Sequence, residues 1–129
     1  MNKILVEVSV GELLDKISIL EIKKEKIKDE KNLKFINDEY NILRTELEKN
    51  IKSDEKLEKF FQSLKEINSK LWIIEDDKRL CEKNSDFGEK FIKLSRDVHF
   101  LNDDRAKIKL KINTHTGSKI KEIKEYTDY

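Results

Sequence analysis

From Leu57 onward, apolar residues return in alternating steps of three and four: Leu57, Phe60, Leu64, Ile67, Leu71 and Ile74, with Lys78 and Cys81 on the next two places. After Asn84 and Ser85 the pattern resumes as Phe87, Phe91, Leu94, Val98, Leu101, Arg105, Ile108 and Ile112. A seven-residue repeat draws one stripe along a helix, and that stripe needs a facing one to bury it. Two such helices joined by a turn at 84–86 fold back antiparallel. The spacing predicts helices over 54–83 and 86–114, each about 40–45 Å long. Asp86 with Glu89 three residues later resembles a capping box, and Gly117 is a helix stop.

The first half carries a weaker version of the same pattern. Ser9-Val-Gly-Glu12 is a capping box opening a helix over 11–29, whose apolar places are Leu13, Ile17, Leu20 and Ile27 with Lys24 filling a gap. The polar run "DEKN" at 29–32 reads as a break before a helix over 33–51, marked by Leu33, Ile36, Tyr40, Leu43, Leu47 and Ile51. Ser53 and Asp54 are candidate caps for the third helix. Residues 3–10, "KILVEVSV", alternate and are β-branched, which predicts a strand. Residues 119–126 are the natural partner, because an unpaired amide row on "ILVEV" is sticky. The expectation is a mainly α single domain over 1–129. Two antiparallel helical hairpins form a four-helix bundle-like body, the second a long antiparallel coiled coil, with a small N-/C-terminal β-ribbon.

Charged residues make up 43% of the chain and hydrophobic ones 36%, with 3 Gly and no Pro. That suits long helices with Lys/Glu-saturated outer faces and argues against an all-β fold. Lys plus Arg number 28 against 27 Asp plus Glu, a net charge of +1, so the positive excess of a nucleic-acid binder is missing. The single cysteine, Cys81, excludes an internal disulfide framework. "MNKILVEVSV" has too short an apolar run for a signal peptide, and no run approaches membrane-spanning length. A cytoplasmic protein without membrane insertion is expected.

Trp72, Ile73 and Leu80 lie off the seven-residue stripe, so that helix is apolar on two sides and needs two neighbours. The candidates are the first hairpin or a second subunit, and these three residues are the predicted interface. Lys24, Lys78 and Arg105 occupy stripe places where an apolar group is due. Pairing about residue 85 sets Arg105 beside 64–68, near Glu66 and Asn68, with Asn102 and Asp103 a turn away. A guanidinium there needs polar partners to offset its desolvation, so a closed structural network is the first reading and a polar ligand site the second. "EDD" at 75–77 lacks the repeated i, i+4 acids of a metal site, and consecutive acids point to different sides of a helix. His99 has no nucleophile at a supporting spacing, and His115 suits a helix end. No catalytic residue, metal ligand or cofactor motif is assigned. The candidate ligand-binding set is Asp15, Lys16, Glu21, Asn68, Glu75, Asp76, Asn102 and Arg105.

Residues 6–27 and 71–113 together resemble a family of short bacterial and phage proteins, catalogued as domain of unknown function six-one-six-five. The resemblance rests on Trp72, Glu75-Asp76-Asp77, Asp86-Phe87-Gly88 and Asn102-Asp103-x-Arg105, while 30–60 matches only in helical character. His99 stands where the family pattern has an aromatic. The resemblance implies no activity and no residue roles, only an occasional neighbourhood of glycosyltransferase and surface-polysaccharide genes. Two functions are therefore expected. The first is a non-catalytic helical interaction or scaffold protein, a homodimer with a further protein partner. The alternative is a bundle binding or acting on an anionic metabolite, such as a sugar phosphate or nucleotide sugar.

Overall fold

The computed structural model describes residues 2–129 and contains four helices: α1 (Val10–Lys26), α2 (Glu30–Asn50), α3 (Glu55–Lys83) and α4 (Glu89–Thr116). Three of them begin on a side-chain oxygen that accepts a free amide three residues on. Ser9 Oγ takes Glu12 N at 3.0 Å, Asp29 Oδ2 takes Asn32 N at 2.9 Å and Asp54 Oδ1 takes Leu57 N at 2.7 Å. The run at 29–32 is thus the cap and first turn of α2 rather than a break, and the link from α1 shrinks to 27–29. Asp86 does not cap α4: its Oδ1 accepts Gly88 N at 3.2 Å inside the turn, and the helix starts at Glu89 instead of 86. Both α3 and α4 end on a left-handed residue, Ser85 (φ 52°) and Gly117 (φ 66°). In each case the following amide reaches back five residues, Asp86 N to Cys81 O at 2.8 Å and Ser118 N to Asn113 O at 2.9 Å.

α3 and α4 lie antiparallel. Lys78 sits over Phe91 at 5.6 Å, Arg105 Nη1 reaches Asn68 Oδ1 at 3.2 Å, and Phe60 meets His115 edge-on at 6.1 Å. α1 and α2 form the other hairpin, joined at mid-length where Tyr40 Oη donates to Glu21 at 3.2 Å and Lys24 covers the Tyr40 ring. The hairpins do not make a square bundle. α1 packs against all three other helices, whereas α2 packs its backbone on α1 alone. The body is therefore a three-helix backbone core of α1, α3 and α4, with α2 packed along α1 and reaching that core through side chains such as Leu47.

That arrangement decides where burial falls. The core is Leu14, Ile17, Leu47, Leu57, Phe61, Leu64 and Ile112. On α3 the buried residues are Leu57, Phe61, Leu64 and Asn68, while Phe60 and Ile67 of the expected stripe are only half-buried. α1 occupies the flank of the α3/α4 pair, so burial there shifts one residue from the two-helix stripe toward the third helix. α1 is about 25 Å long against about 43 Å for α3. Over 69–111 of the α3/α4 hairpin, Cys81 is the one buried residue. The turn end of that hairpin is a two-helix projection.

The expected β-ribbon is absent: among the described residues there is no strand. Ile4, Leu5 and Val6 remain 74–88% exposed. The reason lies at the other terminus. Residues 118–129 run back over α4 and are held by side chains: Lys124 Nζ lies 3.1 Å from Asp103, Tyr129 Oη donates to Asp103, and the Tyr129 ring sits edge-on to Phe100 at 5.1 Å. A two-stranded ribbon alone is marginal in water, and the tail makes these contacts instead.

Candidate functional site

The polar centre of the molecule begins with a close approach of α1 to α4. Gly11 is buried there, and a Cβ on it would lie 2.7 Å from Lys109 O and 3.0 Å from Asn113 Oδ1. Any larger residue forces the two helices apart. The proximity lets Asn113 Oδ1 accept Gly11 N at 2.7 Å, while Ser118 Oγ accepts Val10 N at 3.1 Å. With Glu12 N and Leu13 N bound to Ser9, the first amides of α1 are all satisfied from within the chain.

One turn deeper, Asn68 of α3 joins three helices. Its Nδ2 donates to Asp15 Oδ1 and to Ser18 Oγ, each at 2.8 Å, and its Oδ1 accepts from Arg105. Ser18 Oγ in turn donates to Asp15 O at 2.7 Å. Asn68, Asp15 and Ser18 are all buried, and no buried side-chain polar atom among the described residues lacks a partner. Such a network costs little when every member is bonded, and fixes the register of the helices that supply it.

Lys109 of α4 concentrates the charge. Its ammonium lies 2.6 Å from Glu12, 3.8 Å from Asp15 and 3.4 Å from Glu122 of the tail, with the side chain only 13% exposed. Burial pushes its pKa down, but the Glu12 hydrogen bond and the Asp15, Glu12 and Glu122 charges outweigh burial and raise it. Burial likewise raises the Glu12 carboxyl, and the hydrogen bond and charge of Lys109 reverse the sign, leaving it lowered. Both groups are held charged.

Beside this centre, between α4 and the tail, runs a cavity of about 410 Å³ whose walls include Asn102, Arg105, Lys109 and Asn113, with Glu122 and Tyr126 from the tail. It is large enough for a small-molecule anion.

Of the eight sequence candidates, Asp15, Asn68 and Arg105 are joined in one network, and Asn102 lines the same groove. Lys16 touches it only through Glu12, at 3.9 Å. Glu21 is elsewhere, between Tyr40 and Lys65, the latter 3.2 Å away. Glu75 pairs with Arg79 on the exposed side of α3 at 3.0 Å, and Asp76 is exposed. Glu66, expected near Arg105, stands 3.9 Å from Lys70 instead. Among the predicted interface residues, Trp72 is half-buried while Ile73 and Leu80 are exposed. Glu12, Ser18, Lys109, Asn113 and Glu122 join the site without having been singled out as ligand residues. Part of that was readable: Asn102, Arg105, Lys109 and Asn113 follow steps of three, four and four, a polar line on one side of α4. His115 is occupied structurally, its Nε2 lying 2.8 Å from Asp54 Oδ2. Among the described residues no group of three His, Cys, Asp or Glu is placed to hold a metal ion, and no helix is long and apolar enough to cross a membrane.

Fold and site define an all-α, four-helix protein whose three-helix core is organised by a buried polar network. The chain belongs to the Family of unknown function (DUF6165), whose model matches residues 4–128. No curated protein and no solved structure matches it.

Proposed function

We propose that the protein is a non-catalytic helical interaction module that pairs with a second copy of itself through the turn end of the α3/α4 hairpin. One observation carries the reading: beyond Asn68 and before Ile112 the hairpin buries only Cys81, yet Ile73, Leu80 and Ile92 are 51–54% exposed. Ile73 and Leu80 are one heptad apart and share a side of α3. Each projecting arm is about 20 Å long, so two hairpin ends side by side would extend the bundle with four helices where there are now two. A net charge of +1 leaves little repulsion between copies. The polar centre then serves as the rigid base from which the hairpin projects.

Light scattering across a micromolar concentration series tests this. A dimer is expected, and Leu80→Lys with Ile73→Lys is expected to weaken it by at least about tenfold without lowering helicity, since both side chains sit on the surface. A monomer at every concentration, or a dimer indifferent to both changes, would overturn the proposal.

A further inference from the structure

We infer that the groove between α4 and the C-terminal tail is a binding site for a phosphate monoester, with Arg105 as the anion-recognising group and Glu122 of the tail as its internal competitor. The inference does not depend on self-association. Its first support is the contrast between Arg105 and the other two cations lining the groove, Lys109 and Lys124, the latter 3.1 Å from Asp103. Lys109 is surrounded by three carboxylates. Arg105 is half-buried, among the described residues it has no carboxylate at ion-pairing distance, and it makes one hydrogen bond, from Nη1 to the neutral Asn68 Oδ1. A guanidinium carries five N–H donors in a planar fork that matches two oxygens of a phosphate. Arg105 is aimed from a rigid place: Asn68 holds it, and Asp15 and Ser18 hold Asn68.

The second support is the shape and lining of the groove. At about 410 Å³ it exceeds the size of a phosphate ion and admits a small esterified body. Asn102 lies one turn from Arg105 on the same side, and Lys109 lies one turn the other way. Lys124 and Tyr126 of the tail roof the space.

The third support is the tail itself. It crosses the groove carrying a single carboxylate into it: Glu122 Oε1 accepts from Ser9 Oγ at 3.3 Å, and Oε2 lies 3.4 Å from Lys109 Nζ. That carboxylate is half-exposed and Lys109 already has Glu12, so Glu122 can be displaced without stranding a buried charge. An incoming phosphate would take its place near Lys109 and meet the fork of Arg105, and the tail would close over it through Lys124.

The test is an amide-resonance titration of the full chain with inorganic phosphate and with glycerol 3-phosphate, at constant ionic strength against chloride. Saturable shifts confined to Asn102–Asn113 and 118–126 are expected, tighter for the ester than for phosphate alone. Glu122→Gln should tighten binding severalfold, and Arg105→Gln, which removes the charge and the fork, should weaken it by about tenfold or more. Should Arg105→Gln fail to fold, Arg105→Lys keeps the charge but loses the fork and should weaken binding measurably. No saturable shift in either the native chain or Glu122→Gln would overturn the inference. So would binding unaltered by either Arg105 change.

Discussion

Asn68 lies where α1, α3 and α4 meet and, from α3, bonds the other two through its two amide atoms, which makes it a register pin rather than a surface amide. Its neighbour Arg105 was legible in the sequence, because an antiparallel fold about residue 85 sets the two side by side whatever the rest of the chain does. The place of Lys109 on the same polar line of α4 was legible too, but its ion-pair partners were not, because they come from α1 and from the tail, and a repeat in α3 and α4 says nothing about either. Its charge state gives a pH signature. The folded pKa of Lys109 is raised above 10.5, so its contribution is fully present below 10.5 and is lost as pH rises through the higher folded value. The folded pKa of Glu12 is lowered below 4.5, so its contribution is present above 4.5 and is lost as pH falls through the lower folded value. Lys109→Met removes the shared cation and leaves the carboxylates together, at an expected cost of about 2–3 kcal/mol at neutral pH. Denaturant unfolding of both proteins should show a difference that is flat from about pH 5 to 10 and narrows beyond each end. A pH-independent difference would mean that altered packing around the new side chain, not the lost charge, sets the cost.

At the scale of elements, helix starts were written locally and helix partners were not. Ser9, Asp29 and Asp54 each bond an amide three residues on, a contact needing nothing from the rest of the molecule. The "DEKN" run nonetheless reads as a break in sequence, because its polarity looks like a loop when it is the solvent-facing cap and first turn of α2. The β-ribbon failed for the opposite reason. Alternation in 3–10 states a preference for a sheet, but no edge is on offer once Tyr129 and Lys124 fasten the tail to Asp103. The turn between α3 and α4 is local and therefore testable locally. Ser85 holds φ at 52°, a conformation costing an L-residue about 1 kcal/mol that glycine avoids. Ser85→Gly should therefore stabilise the protein, by up to about 1 kcal/mol after glycine's own entropy cost, seen as a higher denaturant midpoint at unchanged slope. Destabilisation would show that the Ser85 side chain matters more than its backbone.

For the whole molecule, the heptad repeat promised one uniform rod pair, and what folds is a rod pair of two unlike halves. Over the base, α1 converts two helices into three, and Leu64, Ile112 and Ile17 reach full burial. Over the turn end the same repeat continues through Leu71, Ile74, Leu94 and Val98, but those residues stay half-buried, with the tail reaching α4 at His99, Phe100 and Asp103. Periodicity records which side of a helix is apolar, not how many neighbours it has, so this difference was invisible in sequence. It should be visible in motion. Opening free energy follows buried apolar contact, so amides of 71–80 and 92–101 should exchange with solvent at least about tenfold faster than those of 60–68 and 105–113 in a dilute sample. If the turn end is where two copies meet, that contrast shrinks as concentration rises, because the second copy supplies to the tip the flank that α1 supplies to the base. Uniform protection along α3 and α4 at high dilution would mean that two helices suffice there, and the exposed Ile73 and Leu80 would lose their claim to a partner.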